Sequence, residues 1–566
     1  MNEVKTGLSA CVAHPQRRYS CSRGRPGFFV AFPAFYAFPL FRSLYSTVGP
    51  WVFPVVAVLA ALAGLLAAPA AQAQLRELRI GVASHVRSLD VNEATGNNEA
   101  QFLHNLFDTL IERDNHAAPL KFMPGLATSW KMVAPATMEL KLRDGVVFHD
   151  GTTMDADDVK FSLERVFQPK DPRFKASNGR FFYNFKSVDV VDRLTVRIHT
   201  HRADPLMETL LSARNAGITS RKYVETVGLD AAALKPVGSG PYKVEQLKPN
   251  EQAVLVRHDK FWGERAPFDR ITYVRIPEVA ARITALVNKE VDFITNVPPD
   301  QEAAVRRVRG FRIVGSAMPI FHIWVINMSH PQMANPDLRK ALSLAIDREL
   351  LVKAMWGGRG KAPKAHQFVE YGEPMYMPDL NFYRHDPEAA KTLLKKAGYK
   401  GEPIEIVFFP EYYLYGDLGA QAVADMWKKV GINVKLKQSE AFFGTADHTN
   451  VHMRPWSNPL YYPDPMGVFD THWSPNSWVT QRGLWKPSNP DWKATYEKAR
   501  FAADGKERQA AYRRLLEMAD AESGWIVLYQ PYEAYAMRED IEWRIPTAQR
   551  PYELTFRAGQ VAVKSR

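Results

Sequence analysis

Cysteine is nearly absent. Cys11 and Cys21 are the only two in the 566 residues, and both precede a long apolar run. The chain beyond residue 73 therefore has no thiol. That excludes disulfide stabilisation, cysteine nucleophiles, cysteine–zinc sites and iron–sulfur clusters from its body. Catalytic signatures are missing too: there is no G-x-S-x-G elbow, H-E-x-x-H, phosphate-binding loop or G-x-G-x-x-G fingerprint. Tandem repeats and low-complexity linkers are also absent, so the parts of the body must be joined by structured crossings. Charge of one sign is not concentrated in it either. The net +12 arises from 73 basic and 61 acidic residues. Lys5, Arg17, Arg18, Arg23, Arg25 and Arg42 face only Glu3 in the front segment, whereas later charges are interspersed. No basic stripe of the kind that grips nucleic acid results.

What is present is the composition of a folded globular chain, with 46% hydrophobic and 24% charged residues. The 13 Trp, 22 Tyr and 31 Phe suffice for a large core with rings left to line a cleft. The length admits several domains or one multi-lobed body.

The front end reads as an address. No charged residue occurs from Ser43 to Leu75, and Trp51–Ala71 is apolar almost throughout. Basic residues precede it, and Ala71-Gln72-Ala73 supplies the small-x-small pattern of a signal-peptidase site. Residues 1–73 are expected to be a leader cleaved after Ala73, with no cysteine there to carry a lipid. A membrane anchor is the other reading, since about 20 apolar residues span a bilayer. Pro54, Gly64 and Pro69 argue against it by interrupting the helix.

Patterning organises the rest. Leu78–Val82 and Met138–Leu142 alternate as strands, and Ser187–Thr200 reads as strand, turn, strand. Ala100–Ile111 carries a helical stripe. Asp144-Gly145 and Asp150-Gly151 mark turns, and Asp155 with Asp158 forms a capping box for a helix burying Val159, Leu163 and Val166. Asn335-Pro336 starts a helix with Leu338, Ala341, Leu342, Ala345 and Ile346 on one face, which Gly357-Gly358 ends. Asp386-Pro387 starts another that Gly398 stops. Ile404–Phe409, a helix from Ala420 to Val430, and Ile432–Leu436 form a βαβ unit, hence a parallel pair.

Chemistry-bearing residues are sparse. His448 and His452 stand four apart beside Asp447, either as metal ligands or as a polar loop that Pro455 keeps from being a helix. Ser239 between two glycines reads as a turn, and Asp157-Asp158 as acids favoured at a helix start. The strongest site-like feature is a loop-rich region of large rings: Trp456, Tyr461, Tyr462, Phe469, Trp473, Trp478 and Trp485. Half are expected in the core, the rest on a ligand wall.

Several segments, in order, resemble the family 5 extracellular solute-binding proteins, the dipeptide-, oligopeptide- and nickel-binding components of ABC importers. They are 105–113 (NLFDTLIER), 124–130 (PGLATSW), 142–151 (LRDGVVFHDG), 155–165 (DADDVKFSLER), 237–243 (VGSGPYK), 339–348 (RKALSLAIDR) and 386–399 (DPEAAKTLLKKAGY). The resemblance implies an α/β, two-lobed periplasmic binding protein-like fold (type II, cluster C) with an extra domain inserted in the first lobe. The implied boundaries are 74–115, 235–315 and 521–566 for the first lobe, 116–234 for the inserted domain and 316–520 for the second lobe. It further implies a periplasmic, monomeric binder that encloses a peptide or peptide-like solute and passes it to a permease driven by ATPase subunits, with no catalytic residue, cofactor or resident metal and no nucleic-acid partner. An exported hydrolase, or a membrane-anchored chaperone or sensor on the same fold, is the alternative. Expected ligand contacts are Trp456, Tyr461, Asp464, Tyr462, Trp324 and Thr95. The sequence departs from the family at one point. Its peptide binders carry an Asp three residues before a D/E-P pair, which meets the peptide α-amino group. Counting back from Asp464-Pro465, that position is Tyr461. Either Asp464 swings in to replace the anchor, or the anchor is missing.

Overall fold

The strand Glu77–Val82 seeds a sheet because its inward residues Leu78, Ile80 and Val82 are completely buried. In this computed structural model it pairs in parallel with Arg270–Arg275 on one side and with Phe293–Ile294 on the other. The structure describes residues 76–564, except 85, 93–96, 115–120, 171–178, 370–374, 410–411, 440–450 and 546–552, and omits the side chains of 97–100. The leader expected at 1–73 lies outside the described residues, as do Thr95 and His448. No helix among the described residues is long and apolar enough to cross a membrane.

The first sheet has seven strands, in the order Phe311–Ala317, Tyr532–Arg538, Phe293–Ile294, Glu77–Val82, Arg270–Arg275, Gln252–Arg257 and Tyr242–Lys248. Three segments far apart in sequence thus share one hydrogen-bonded layer. A second sheet of five strands runs Val434–Gln438, Ile404–Phe408, Met453–Pro459, Ile320–Ile326, Trp525–Tyr529. Its edge is the expected βαβ unit: Ile404–Phe408 and Val434–Gln438 are parallel, joined by the helix Gly416–Lys429. The chain passes between these two sheets at Met318–Pro319 and again at Gln530–Pro531. The two crossings are tied together, since the Met318 N–H donates to the Pro531 carbonyl (2.8 Å) and Gln530 Nε2 to the Met318 carbonyl (3.0 Å). A third sheet, Ala127–Ala134, Thr137–Leu142, Thr195–Thr200, Phe185–Asp192, is antiparallel throughout. The helix Ala156–Phe167 packs against it, capped by Asp155 with the reciprocal Asp158 bond, and buries Val159, Leu163 and Val166 as the pattern required.

The glycines of Gly238-Ser239-Gly240 are needed for close approach. A Cβ on Gly238 would lie 2.2 Å from the Leu106 carbonyl oxygen, and one on Gly240 2.6 Å from that of Asn105. This contact also explains a departure from expectation. The helix Asn97–Leu106 ends there rather than continuing to Ile111. The Leu106 carbonyl accepts from the Gly240 N–H (3.0 Å), and the Asn105 amide bonds the Leu554 carbonyl (2.7 Å) and the Phe556 N–H (2.9 Å). The Leu106 carbonyl, which would accept the next helical bond, is diverted, while the Asn105 side chain is held by the C-terminal segment.

A second departure is the single helix expected from Pro336 to Gly357, which is two: Pro336–Leu344 and Arg348–Trp356. Asp347 interrupts it by capping the second, accepting from the Leu350 N–H at 2.9 Å. The buried Arg348 bonds the Ser343 and Val527 carbonyls (3.0 and 2.6 Å) and fixes the bend. Lastly, Trp525–Tyr529, grouped by the sequence with the first lobe, hydrogen-bonds to Ile320–Ile326 in the five-stranded sheet, because its side chains are buried all along that core.

Glu533, on the strand Tyr532–Arg538, is buried and accepts from Asn296 Nδ2 (2.7 Å). Burial pushes its carboxyl up to about 8 against the opposing pull of Asn296 and Arg282. The folded state therefore holds a proton that the unfolded chain releases near 4.5. Stability should fall as pH rises between those values, by at most about 1.4 kcal/mol per pH unit from this group. Denaturant melts from pH 5 to 8 should show a shallower loss in Glu533→Gln than in wild type. Parallel slopes would remove this assignment.

Candidate ligand-binding site

The loop following Met453–Pro459 is held from several directions. That strand is central in the five-stranded sheet, with Trp456 opposite Ile323. Beyond it the chain leaves the sheet, and the Leu460 N–H donates to the Pro319 carbonyl at 2.9 Å. Proline at 463 and 465 restricts the turn into the helix Met466–His472, which is buried at every residue. Asp464 accepts from the Met466 N–H (2.9 Å) and pairs with Arg508 (2.5 Å), its side chain buried. Ser457 bonds the Tyr412 hydroxyl through both its own hydroxyl (2.9 Å) and its N–H (3.1 Å).

Behind the loop lies a buried ion network. Arg500 on the helix Trp492–Phe501 is bidentate to Asp204 (2.6 and 3.0 Å) and approaches Asp470 at 3.6 Å, all three side chains fully buried. Asp470 accepts from the Tyr462 hydroxyl (2.5 Å) and from that of Tyr496, which in turn contacts the Tyr183 hydroxyl (3.3 Å). Burial drives the Asp470 carboxyl up to about 6 although Arg500 and the two phenols favour its ionised form. For Asp204 the burial penalty is outweighed by Arg500, leaving it below the ordinary carboxylate range. Asp204 and Tyr183 belong to the segment that carries the four-stranded sheet, Arg500 and Asp470 to the part beyond Met453, so the network ties these parts together.

The expected ligand contacts separate on this geometry. Tyr462 is 1% exposed and spends its hydroxyl on Asp470, which places it in the core behind the loop. Trp324, also 1% exposed, packs edge-on to Trp427 (5.6 Å) beneath the sheet and is core as well. Asp464 is occupied by Arg508 and a backbone N–H, which speaks against its swinging in as an amino anchor. Trp456 is half-buried, stacked on Trp478 (4.5 Å, 29°) and edge-on to His472 (5.7 Å). Of the ring-rich region, Phe469, Trp473 and Trp485 join Tyr462 in the core.

Tyr461 is placed differently. Its ring lies 5.0 Å from that of Phe181, with the Arg180 guanidinium 5.4 Å and the Arg214 guanidinium 5.1 Å from its centroid. Burial and the neighbouring Arg214 pull the Arg180 guanidinium below its usual value, opposed by its interaction with Tyr461. His472 is kept neutral, well below the usual imidazole range, by burial first and then by Arg180. Sequence reasoning missed Arg180, Phe181, Arg214 and His472. The only local signal was the run Arg180-Phe181-Phe182-Tyr183, an arginine leading three aromatics.

Among the described residues no group of three His, Cys, Asp or Glu is arranged to hold a metal. Both nitrogens of His452 are occupied, Nδ1 by the Glu405 N–H (3.1 Å) and Nε2 by Gln332 (2.8 Å).

The fold is that of the two-lobed binding proteins. It matches the periplasmic binding protein DppA of Helicobacter pylori, solved with the peptide STSA, with a TM-score of 0.77 and 22% identity over 86% of this chain and 98% of that one. The model of the bacterial extracellular solute-binding proteins, family 5 Middle, matches residues 121–479, and the chain belongs to this family. It is 26% identical over 340 residues to the dipeptide-binding protein of Escherichia coli (strain K12), covering 56% of this chain and 63% of that protein. It is 28% identical over 269 residues to the glutathione-binding protein GsiB of Salmonella paratyphi A, covering 46% and 50%. The chain thus aligns with about half to two thirds of the length of these two relatives.

Removing one member of the buried network should be costly. Arg500→Met strands Asp204 and Asp470 and should lower stability by about 3–5 kcal/mol in denaturant melts. The double variant Arg500→Met/Asp204→Leu should recover part of that loss. A single variant as stable as wild type would show that the pairing carries little.

Proposed function

We propose that this chain is the solute-capturing component of an ABC importer, working outside the inner membrane after removal of residues 1–73. The observation that carries the reading is the family match over 121–479, which includes both the Trp456–Pro465 loop and the residues Arg180, Phe181 and Arg214 that face it. Aromatic side chains contributed by two segments distant in sequence suit a small solute enclosed between parts of the protein that close upon it. On this reading the protein binds and releases without catalysis, acts as a monomer, and presents its closed form to a transmembrane permease whose ATPase subunits power uptake. The peptide-binding relatives favour a peptide or peptide-like solute.

The division into lobes follows the sheets. The first lobe comprises the seven-stranded sheet, with segments from 74–115, 235–315 and the C-terminal strands. The second comprises the five-stranded sheet, and the four-stranded sheet within 116–234 is the inserted domain. The last return to the first lobe falls after Trp525–Tyr529 rather than at 521, since that strand pairs in the second sheet. The crossings at Met318–Pro319 and Gln530–Pro531 are then the hinge.

Closure makes a direct test. Solutes of a peptide and N-blocked peptide panel should reduce the radius of gyration in solution scattering and change tryptophan fluorescence, as ligand selects the shut state. Trp456→Ala should weaken the binding of any active solute by about 1–3 kcal/mol, the loss expected for one partly buried ring contact. A panel that neither compacts the protein nor raises its melting temperature would defeat the proposal.

A further inference from the structure

Two guanidiniums, of Arg180 and Arg214, flank the Tyr461 ring, and no acid among the described residues pairs with either. Arg214 is 8% exposed, and the Nε atoms of Arg180 and Arg214 are buried without a hydrogen-bond partner. Neither guanidinium makes an ion pair among the described residues; the described acids nearby bond to other arginines, and Asp470 favours the charge on Arg180 only from a distance. Asp204 and Asp470 serve Arg500, and Asp464 serves Arg508. The Arg180 guanidinium does lie 4.6 Å over Phe181, and both flank Tyr461. Cation–π contacts offset only a fraction of what desolvating each charge costs.

His472 adds a third donor. Asn458 Nδ2 is oriented by the Val468 carbonyl (3.1 Å) and lies 2.7 Å from His472 Nδ1. A carboxamide nitrogen only donates, so Nδ1 accepts and the ring proton sits on Nε2. That Nε2–H is buried with no acceptor, on a ring close enough to Arg180 to feel its charge.

We infer that the Tyr461 end of the site binds a carboxylate of the solute, so that the transported class is anionic at the position where a dipeptide would present its α-ammonium. Two guanidiniums offer the forked donors that a planar carboxylate accepts bidentately. An ammonium there would meet like charge as well as desolvation. The inference rests on the solute-binding reading and specifies its substrate class: acids lacking a free α-amine, such as N-acylated or otherwise condensed amino-acid derivatives that carry an additional carboxylate.

Calorimetric titration of the full mature chain with Ala-Ala, N-acetyl-Ala-Ala and N-succinyl-Ala-Ala tests it, with inorganic phosphate as a further probe. The succinyl compound should bind at least ten-fold tighter than the acetyl one, and Ala-Ala weakest. Arg180→Gln and Arg214→Gln should each abolish the succinyl advantage, while Arg214→Lys, which keeps the charge, should retain part of it. Melting curves confirm that each variant is folded; should Arg180→Gln fail to fold, Arg180→Lys should reduce the succinyl advantage only in part, and its survival in Arg214→Gln then decides. Preference for Ala-Ala, equal binding of all three, or a succinyl advantage that survives both Gln variants overturns the anion site and leaves the importer reading standing. Phosphate binding as tightly as the succinyl compound would also overturn it, marking a site for any oxyanion rather than a solute carboxylate. No binding by any probe, with no compaction in scattering, contradicts both.

Discussion

Arg500, with Asp204 and Asp470, is the interaction on which the geometry of the site depends. Three ionised side chains with no solvent access form a costly arrangement, tolerated where each charge finds a partner and hydrogen bonds fill the rest. Here the bidentate bond to Asp204 and the two phenols on Asp470 do that. Fixing Asp470 fixes Tyr462, and fixing Tyr462 leaves its chain neighbour Tyr461 facing Phe181. The loop has little freedom left, since Asp464 and Ser457 are pinned at either side. One cation in the network faces two carboxylates, so Asp470 also favours the charged form of Arg180 from a distance, while neither Arg180 nor Arg214 makes an ion pair among the described residues.

That separation matters for function. Charges that are paired set architecture, whereas charges left unpaired in a buried place are available to a ligand. Asp464, which the sequence made the natural stand-in for a missing amino anchor, falls in the first class. The two arginines fall in the second. A site whose described acids bond to other arginines, while its own two guanidiniums make no ion pair among the described residues, has its polarity reversed relative to an ammonium pocket.

Local chemistry was readable from the chain, and long-range pairing was not. The capping box at Asp155, the Asn335-Pro336 and Asp386-Pro387 starts and the glycine stops at 398 and 431 act within a turn of helix, and each sits where the pattern required. The helix stops at Leu106 because Gly240, far along the chain, takes the Leu106 carbonyl, which no local pattern encodes. The break at Asp347 was local yet hidden, since the apolar stripe continues through it while the side chain caps. In the candidate site, Trp456 and Tyr461 stood out as rings in loop-forming sequence. Nothing near Arg180 or Arg214 announces that they meet Tyr461, because that meeting is a tertiary contact between loop segments distant in the chain.

Hydrogen exchange of the ligand-free protein tests the central claim most directly. The Leu460, Asp464, Met466 and Gly467 amides are all bonded within the loop or to its neighbours. If the buried network sets the loop, a folded Asp204→Asn variant should lose protection at these four amides by an order of magnitude or more. The strand Glu77–Val82, in the other sheet, should keep its protection. Unchanged protection in the loop, or an equal loss in both places, would contradict the account.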